Sequence, residues 1–236
     1  WSRWYRCSLC EQEYHGVVSC ALGWACWKTY VGRSETDRPR QLAMNVLGSG
    51  LSLAGQDEDA VPVMEAQLSI QRRLGDSEYN ILAAQSSLAS AYNSLGRHEQ
   101  SMRVRQDLYS KCLSLYGEEH AHTLLTANNY ANCLFELRRF EEAKELLRKV
   151  TPVARRVLGE EDRLTIKMRW TYAEALYLDP DATLDDLREA VATYEETTRT
   201  ARRVLGGTHP LTSAMEVDLQ KARAALRARE TPPRSA

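Results

Sequence analysis

The sequence predicts an all-α protein, a right-handed α-solenoid of about four 42-residue helical hairpins with a C-terminal capping helix. Glycines recur as Gly75, Gly117, Gly159 and Gly206, so the same pattern returns after 42, 42 and 47 residues. Two apolar stretches with helical periodicity belong to each repeat, and a short polar break separates them. A fixed period of this size is typical of stacked repeats, in which one hairpin cannot bury its apolar face alone.

Four parts are expected along the chain. Residues 1–32 form a cysteine- and aromatic-rich N-terminal module, 33–39 a polar linker, 40–228 the repeat array and 229–236 a disordered tail. Within the first part, 17–31 is apolar on nearly every face, which predicts a helix buried between two modules. Since the sequence begins at Trp1, we expect it to be a piece of a longer protein.

Each hairpin of the array joins a helix A to a helix B. The pairs are predicted over 40–54 and 58–74, 80–95 and 98–115, 122–137 and 140–157, and 164–178 and 183–205. In the fourth pair, five extra residues lengthen the break, and Thr183 with Asp186 forms a capping-box pattern. The last helix, 210–228, has one apolar stripe and a charged back, as a terminal helix of an array requires.

Small residues recur at the eighth position of helix A and in the middle of helix B. The pairs are Ala89 with Ser101, Ala131 with Ala143, and Ala173 with Ala190. This pattern resembles tetratricopeptide repeats, whose common form has a period of 34 residues. The longer period, with Gly206-Gly-Thr-His-Pro-Leu-Thr212 between two repeats, resembles the kinesin light chain form. The resemblance covers about 40–228 and implies a fold, but it does not imply a particular cargo.

In tetratricopeptide arrays, positions five, six, nine and twelve of each helix A face a concave groove. The resemblance therefore implies a peptide groove lined by Ser86, Ser90, Asn93, Asn128, Asn129, Asn132, Phe135, Trp170, Glu174 and Tyr177. Three asparagines in five residues are mildly unfavourable inside a helix, so they call for a reason. Their amides would hold the backbone of an extended peptide, and the aromatics would anchor it. A hydrogen-bonded seam between repeats is the alternative.

The charges of this groove indicate which peptides it would accept. It contains Lys167, Glu136 and Glu174 and no arginine, so a neutral or basic peptide fits it better than an acidic one. Arginine pairs stand instead just before three of the repeat glycines, as Arg72-Arg73, Arg155-Arg156 and Arg202-Arg203. Such pairs suit either a basic binding stripe or the last turn of a helix, whose dipole they offset while the glycine forms a left-handed C-cap.

A second resemblance concerns only the first sixteen residues. Trp4-Tyr-Arg-Cys7-Ser-Leu-Cys10, followed by Tyr14-His15-Gly16, resembles the closing segment of a RING-CH (RING-variant) zinc finger. This resemblance implies that Cys7 and Cys10 are the last zinc ligands of the intact protein, with six earlier ligands upstream. We expect no metal or other cofactor in this chain alone, because a structural zinc site needs four ligands. The alternative is that His15, Cys20 or Cys26 completes a site here.

Composition narrows the function further. The net charge of −1 does not favour nucleic acid, and no apolar run is long enough for a bilayer. The cysteines fit a reduced intracellular chain, so we expect a cytoplasmic location. No phosphate-binding loop, HExxH motif or repeated nucleophile–base spacing is present, which predicts that the chain is not an enzyme. The oligomeric state is not indicated.

We therefore predict a non-catalytic scaffold that binds a peptide segment of a partner protein. One alternative is the substrate-recognition part of a longer RING-CH-type E3 ubiquitin ligase. Six further Cys or His ligands upstream would favour it. The other alternative is a structural oligomerisation scaffold, which would self-associate and capture no peptide.

Overall fold

The computed structural model describes residues 1–230, and in this range ten α-helices account for most of the chain. They are α1 (Gly16–Tyr30), α2 (Arg38–Leu53), α3 (Asp57–Leu74), α4 (Glu78–Ser94), α5 (His98–Tyr116), α6 (Ala121–Glu136), α7 (Phe140–Val157), α8 (Arg163–Leu178), α9 (Leu184–Leu205) and α10 (Pro210–Glu230). The described residues form no strand, only one isolated antiparallel bridge between Arg6 and Glu13. The predicted all-α class is confirmed, and every predicted helix of the array ends within two residues of its expected position.

The contacts divide the chain into two units, Trp1–Leu108 and the part from Tyr109 onward. The first unit contains α1 to α4 and the start of α5, and the second contains the rest of α5 and α6 to α10. The predicted N-terminal module and the first hairpin share a unit, because α1 packs on α2. At the other end, α10 includes Arg229 and Glu230, and the remainder of the predicted tail, 231–236, lies outside the described residues.

Helix α1 packs on α2 through small residues, not on all sides as its apolar sequence predicts. A Cβ atom added to Gly50 would lie 2.6 Å from the carbonyl oxygen of Ser19, so the two backbones are almost in contact there. Gly23 is buried against α2 in the same way. Two of the larger side chains point outward, with Val17 79% and Trp24 43% exposed, whereas Trp27 is partly buried against the core of the first unit. The helix face that carries small residues lies against α2, because only small residues allow the two backbones to approach so closely. The opposite face, with Val17 and Trp24, is not covered by other described residues.

The hairpins close where the small residues were predicted. The hydroxyl of Ser101 donates a hydrogen bond of 2.7 Å to the carbonyl oxygen of Ala89, and both residues are fully buried. Ala131 and Ala143 are fully buried in the third hairpin. A small residue on each helix lets the two backbones approach, so the larger side chains of the hairpin pack around this contact.

The glycines between repeats all have positive φ, but they do not all form the predicted left-handed cap. Gly75 ends α3 with φ 67° and ψ 40°, which is the left-handed conformation. Gly206 ends α9 with φ 91° and ψ 155°, so the prediction is wrong there. The chain leaves α9 in an extended direction that is open essentially to glycine alone. The sequence position therefore requires glycine in both cases, for two different backbone conformations.

The residue before each of four A helices caps it with a side chain. These N-caps are Ser77 for α4, His120 for α6, Asp162 for α8 and His209 for α10. In the two histidine caps the ring Nδ1 accepts a backbone N–H, from His122 in one case and Leu211 in the other, at 3.1 Å in each. A capped N-terminus satisfies a donor that the helix itself leaves unpaired, so the seam histidines have a structural role.

The five extra residues of the fourth hairpin form an ordered turn. Asp179 is buried, and its Oδ2 lies 2.7 Å from Nζ of Lys144 on α7. Lys144 also contacts the exposed Glu141 at 2.6 Å. The predicted capping box is confirmed, since the N–H of Asp186 donates to Thr183 Oγ1 and the N–H of Thr183 donates to Asp186 Oδ2.

Helix α10 has the two faces expected of a capping helix. Met215, Leu219 and Ala222 are buried against the rest of the second unit. On its outer side, Ser213 occupies the position that is a buried leucine or isoleucine in α4, α6 and α8. Gln220 likewise takes the place of the small alanine at position eight and is exposed. The outer side is polar at these two positions, which is unfavourable for the packing of another helix, although Val217 between them is 53% exposed.

The second arginine of each predicted pair reaches a glutamate about one repeat earlier. These contacts are Arg73–Glu35, Arg156–Glu119 (2.6 Å) and Arg203–Glu161 (2.7 Å). All are exposed, so each stabilises the fold by about 0–1 kcal/mol. The arginines are thus engaged along the seams between repeats, which favours the structural interpretation over a basic binding stripe.

No helix within residues 1–230 is both long and apolar enough to cross a membrane.

Candidate functional site

The predicted groove residues of the first unit lie on α4. Ser90 is exposed, and its hydroxyl donates to the carbonyl oxygen of Ser86 at 3.1 Å. Asn93 is half-buried, with its Oδ1 at 3.0 Å from Nδ1 of His98, the first residue of α5. The side chains of Ser90 and Asn93 thus have local contacts within their own hairpin, and the part of all three residues in a binding site remains a prediction.

The three asparagines of α6 have three different environments. Asn128 is only 3% exposed, and its Oδ1 has no hydrogen-bond partner in the described part of the chain. Asn129 is half-buried and makes no hydrogen bond to another described residue. Asn132 accepts a hydrogen bond of 3.0 Å from Thr171 Oγ1 on α8. Asn132 therefore connects neighbouring hairpins, as the alternative interpretation expects, whereas the amide of Asn129 remains available to a partner.

The aromatic residues of the predicted groove are all half-buried. Phe135 packs edge-to-face on Phe140, with ring centroids 5.6 Å apart. Trp170 donates from its Nε1 to Asp218 Oδ2 at 3.2 Å, which links α8 to α10. Tyr177 packs against the core on both sides of α8. Each ring keeps an exposed part, so each can contribute apolar contact area.

These contacts define one polar surface in the second unit, which we call the A-helix face. It consists of Asn128, Asn129, Asn132 and Phe135 on α6, Trp170, Glu174 and Tyr177 on α8, and Asp218 and Lys221 on α10. Helix α8 packs against both α6 and α10, and the side-chain hydrogen bonds from Thr171 and Trp170 cross the two seams. The repeat thus brings equivalent positions of three helices side by side.

A change of chemistry occurs along this face. Asn132 at position nine of α6 bonds to Thr171 at position six of α8. The next pair in the same register is Glu174 at position nine of α8 and Asp218 at position six of α10, so two carboxylates replace a hydrogen-bonded pair. Burial, together with the negative charge of Asp218, raises the pKa of Glu174 to about 7, and Lys221 opposes the shift. Glu174 makes no hydrogen bond or ion pair with another described residue.

A buried hydroxyl adjoins these two acids. Tyr194 on α9 is fully buried, and its hydroxyl has no hydrogen-bond partner in residues 1–230. Burial, and then the nearby charges of Glu174 and Asp218, raise the pKa of Tyr194. Its ring packs in the same cluster as Trp170 and Tyr177. The polar groups at this point are therefore not satisfied by one another.

Three residues of this region were missed in the sequence. Asp218 and Lys221 occupy positions six and nine of α10, so continuing the repeat register into the last helix would have found them. The capping role of α10 does not by itself indicate that these positions carry charges. Tyr194 has no comparable signal, because a tyrosine on a B helix reads as ordinary core and its closeness to the acids is a tertiary property.

Cys7 and Cys10 lie in a tight loop before α1. Hydrogen bonds from the backbone N–H groups of Cys10 and Leu9 hold the pKa of the Cys7 thiol below its usual value. The N–H of Cys7 donates to the carbonyl oxygen of Gln12 at 2.8 Å, which closes the loop. Within residues 1–230, no three His, Cys, Asp or Glu side chains group as a metal site would require. Two thiols do not make a four-coordinate zinc site, so their role in a longer protein stays a prediction.

Comparison with known proteins identifies the fold. Residues 80–156 match the tetratricopeptide repeat family. The crystal structure of nearly identical TPR-like repeats from a Podosopora anserina protein described as a kinesin light chain superposes with a TM-score of 0.64 at 22% identity, covering 79% of this chain and 85% of that one. BtubC (BKLC) from P. vanneervenii gives a TM-score of 0.58 at 16% identity, covering 92% of this chain and 94% of the other.

A more distant neighbour is a Rap protein in complex with Competence and Sporulation Factor, with a TM-score of 0.54 at 13% identity, covering 89% of this chain and 59% of that one. No curated protein gives a significant sequence match. At these identities the likeness establishes the fold alone. The predicted fold class, an α-solenoid of kinesin-light-chain-like tetratricopeptide hairpins, is confirmed.

Proposed function

We propose that the chain is a non-catalytic interaction scaffold that holds an extended peptide segment of a partner protein on the A-helix face. The fold is one whose members generally bind other proteins, and the Rap neighbour was solved in complex with another factor. The observation that carries the proposal is the free amide of Asn129, which is half-buried on this face and makes no hydrogen bond to another described residue. An extended peptide offers backbone donors and acceptors that such an amide can bind.

Residues on this face have separate roles under the proposal. Asn129 contacts the peptide backbone, and the exposed parts of Phe135, Trp170 and Tyr177 supply apolar contact area. Asn132 holds α6 to α8 through Thr171 and keeps the register of the surface. The partner is proposed to be a protein encountered in the cytoplasm, and neither nucleic acid nor a membrane is required.

A short-peptide selection tests this function. The chain is screened against a phage-displayed library of random peptides, and the recovered peptides are measured by fluorescence anisotropy. Asn129→Ala is expected to weaken binding about two- to tenfold, because a lost hydrogen bond costs about 0.5–1.5 kcal/mol. Its melting temperature should not fall, since alanine is the better helix former.

Two further variants separate binding from stability. Asn132→Ala is expected to lower the melting temperature, because it leaves Thr171 without its partner across the seam. Gln220→Ala removes an exposed amide of the same unit on the outer side of α10 and should change neither quantity. If no peptide is recovered, or if Asn129→Ala binds as tightly as the unaltered chain, the A-helix face is not the binding site.

The ligase and oligomerisation alternatives stay predictions. The ligase interpretation depends on sequence upstream of Trp1, where six further Cys or His ligands at RING-CH spacing would support it. Light scattering tests the other one: a concentration-dependent increase in mass without captured peptide would favour an oligomerisation scaffold over the function proposed here.

A further inference from the structure

We propose that Glu174 and Asp218 form a subsite for a lysine or arginine side chain of the bound peptide. This inference rests on the proposed function and adds the chemistry of the ligand at one defined point of the A-helix face. The first observation is a difference between equivalent positions of the repeat. Position nine of α6 and position six of α8 form an asparagine–threonine hydrogen bond. The same two positions of α8 and α10 carry two carboxylates.

The two acids are incompletely neutralised within the second unit. Asp218 accepts from Trp170 Nε1 at 3.2 Å and contacts Lys221 Nζ at 3.1 Å. Lys221 is 56% exposed, so this ion pair is screened and weak. Glu174 has no partner of its own. One exposed lysine therefore faces two carboxylates, and one negative charge is left over.

Half-burial makes that remaining charge costly. A carboxylate removed from water and placed beside a second one favours its protonated form unless a cation approaches. The raised pKa of Glu174 reflects both causes, and the charged or titratable groups that face it are Asp218 and Lys221 from α10 and Tyr194 from α9. A cation that occupies the site removes the repulsion and exchanges with a proton.

The buried hydroxyl of Tyr194 is an independent sign that the site is incomplete. It lies next to the acids with no acceptor, although buried hydroxyls are normally hydrogen-bonded. Glu174 and Asp218 both lie close enough to act on this hydroxyl electrostatically, yet neither accepts a hydrogen bond from it. If the two acids were complete without a ligand, one of them would be expected to accept the hydrogen bond of the Tyr194 hydroxyl.

The surroundings select an organic cation. Ca²⁺ takes six to eight oxygen ligands, far more than two carboxylates supply. An ammonium or guanidinium group needs only one or two acceptors and gains from adjacent aromatic faces. Trp170 and Tyr177 are half-buried neighbours in the same cluster and can provide those faces.

The test uses synthetic peptide pools with blocked ends. One central position is fixed as Lys, Arg, norleucine, Gln or Glu, and the flanking positions are random. Retention on the immobilised full chain is expected to be highest for the Lys and Arg pools. Glu174→Gln and Asp218→Asn should each reduce the Lys-over-norleucine preference about tenfold or more, because a hydrogen bond to a charged group is lost. Both changes preserve side-chain shape, and circular dichroism confirms folding.

Two further readouts distinguish charge from structure. Lys221→Met removes the resident cation and should increase affinity for the Lys pool severalfold, the opposite sign to the other two variants. Proton linkage gives the second readout. With a pKa of about 7, roughly a tenth of Glu174 is ionised at pH 6 and roughly nine-tenths at pH 8, so affinity should rise about tenfold across this range. Glu174→Gln should make the profile flat.

The outcomes separate the two proposals. Equal retention of the norleucine and Lys pools, with no effect of the three substitutions, overturns the cation subsite and leaves peptide binding on this face intact. Preference for the Glu pool also overturns it. Retention of no pool by the unaltered chain overturns the proposed function, and the subsite with it.

Discussion

Replacing Lys144 by Met should destabilise the second unit far more than any surface change, because it leaves a buried carboxylate without its partner. The side chains of Lys144 and Asp179 are 5% and 6% exposed, and the distance from Nζ to Oδ2 is 2.7 Å. Breaking a buried pair from one side costs about 3–5 kcal/mol. Asp179 keeps one hydrogen bond, from the N–H of Asp181 to its Oδ1, so the lower end of that range is expected.

The magnitude is measurable by urea unfolding followed by circular dichroism. A loss of about 3 kcal/mol corresponds to a fall in melting temperature of roughly 6–12 °C for a domain of this size. The double variant Lys144→Met/Asp179→Asn carries no buried charge and should recover much of the loss. Lys149→Met on the same helix is the matched control; it is exposed and should stay within about 0.5 kcal/mol.

The pH dependence gives the same pair a second signature. Burial alone would raise the pKa of Asp179, but the hydrogen bonds from Lys144 and from the N–H of Asp181, together with the positive charge of Lys144, outweigh burial and lower the pKa. The stability that this pair contributes is thus present above the usual aspartate pKa and lost as pH falls through the lowered value. The double variant should lack this acid-sensitive component. A loss below about 1 kcal/mol for Lys144→Met, or a double variant as unstable as the sum of the singles, would refute the reasoning.

One turn position and one contact between helices are sensitive to the presence of a Cβ atom. Arg138 has φ 59° at the turn position where the second hairpin has Gly96 with φ 69°. Arg138→Gly should therefore stabilise the fold by about 0.5 kcal/mol, and Gly96→Ala should destabilise it by about 1 kcal/mol. Midpoints of urea unfolding that shift in the same direction for both variants would contradict this. Gly50→Ala should cost about 1–3 kcal/mol because its Cβ would collide with the carbonyl oxygen of Ser19, whereas Gly32→Ala, with open space around it, should be neutral by thermal melting. Equal melting temperatures for the two would show that α1 can move away from α2 without loss.

Much of the fold was predictable because two independent patterns agree in this sequence. The helical period marks the helices, and the recurring seam residues mark their ends, so even α7 was placed correctly although Pro152 lies inside it. The packing of α1 was not predictable from its apolar composition, since the decisive contact is between the backbones at Gly50 and Ser19. Left-handed Arg138 was equally hidden, because its turn is set by the helices on either side.

The sequence predicted which helices carry the candidate site residues, but not the contacts of their side chains. Asn129 and Asn132 lie on α6 and Glu174 lies on α8, as the repeat register requires. The register could not show that Asn132 accepts a hydrogen bond from Thr171 while Asn129 has no such partner, because this depends on which side chain the next hairpin places opposite. The pairing of Glu174 with Asp218 likewise depends on a neighbouring helix. That helix is α10, whose sequence is least like the other helices of the array.

The inserted turn between α8 and α9 has a consequence for how such arrays are counted. Its five residues shift all later sequence numbers, yet Ala190 still packs at the middle of its hairpin and is fully buried, as Ala143 is in the hairpin before. The alanine contacts between helices thus determine which residues are equivalent in successive repeats, while the number of residues between equivalent positions can vary. An alignment that assumes a constant interval would lose the phase at Leu178, and the acids of α8 and α10 would no longer appear as partners.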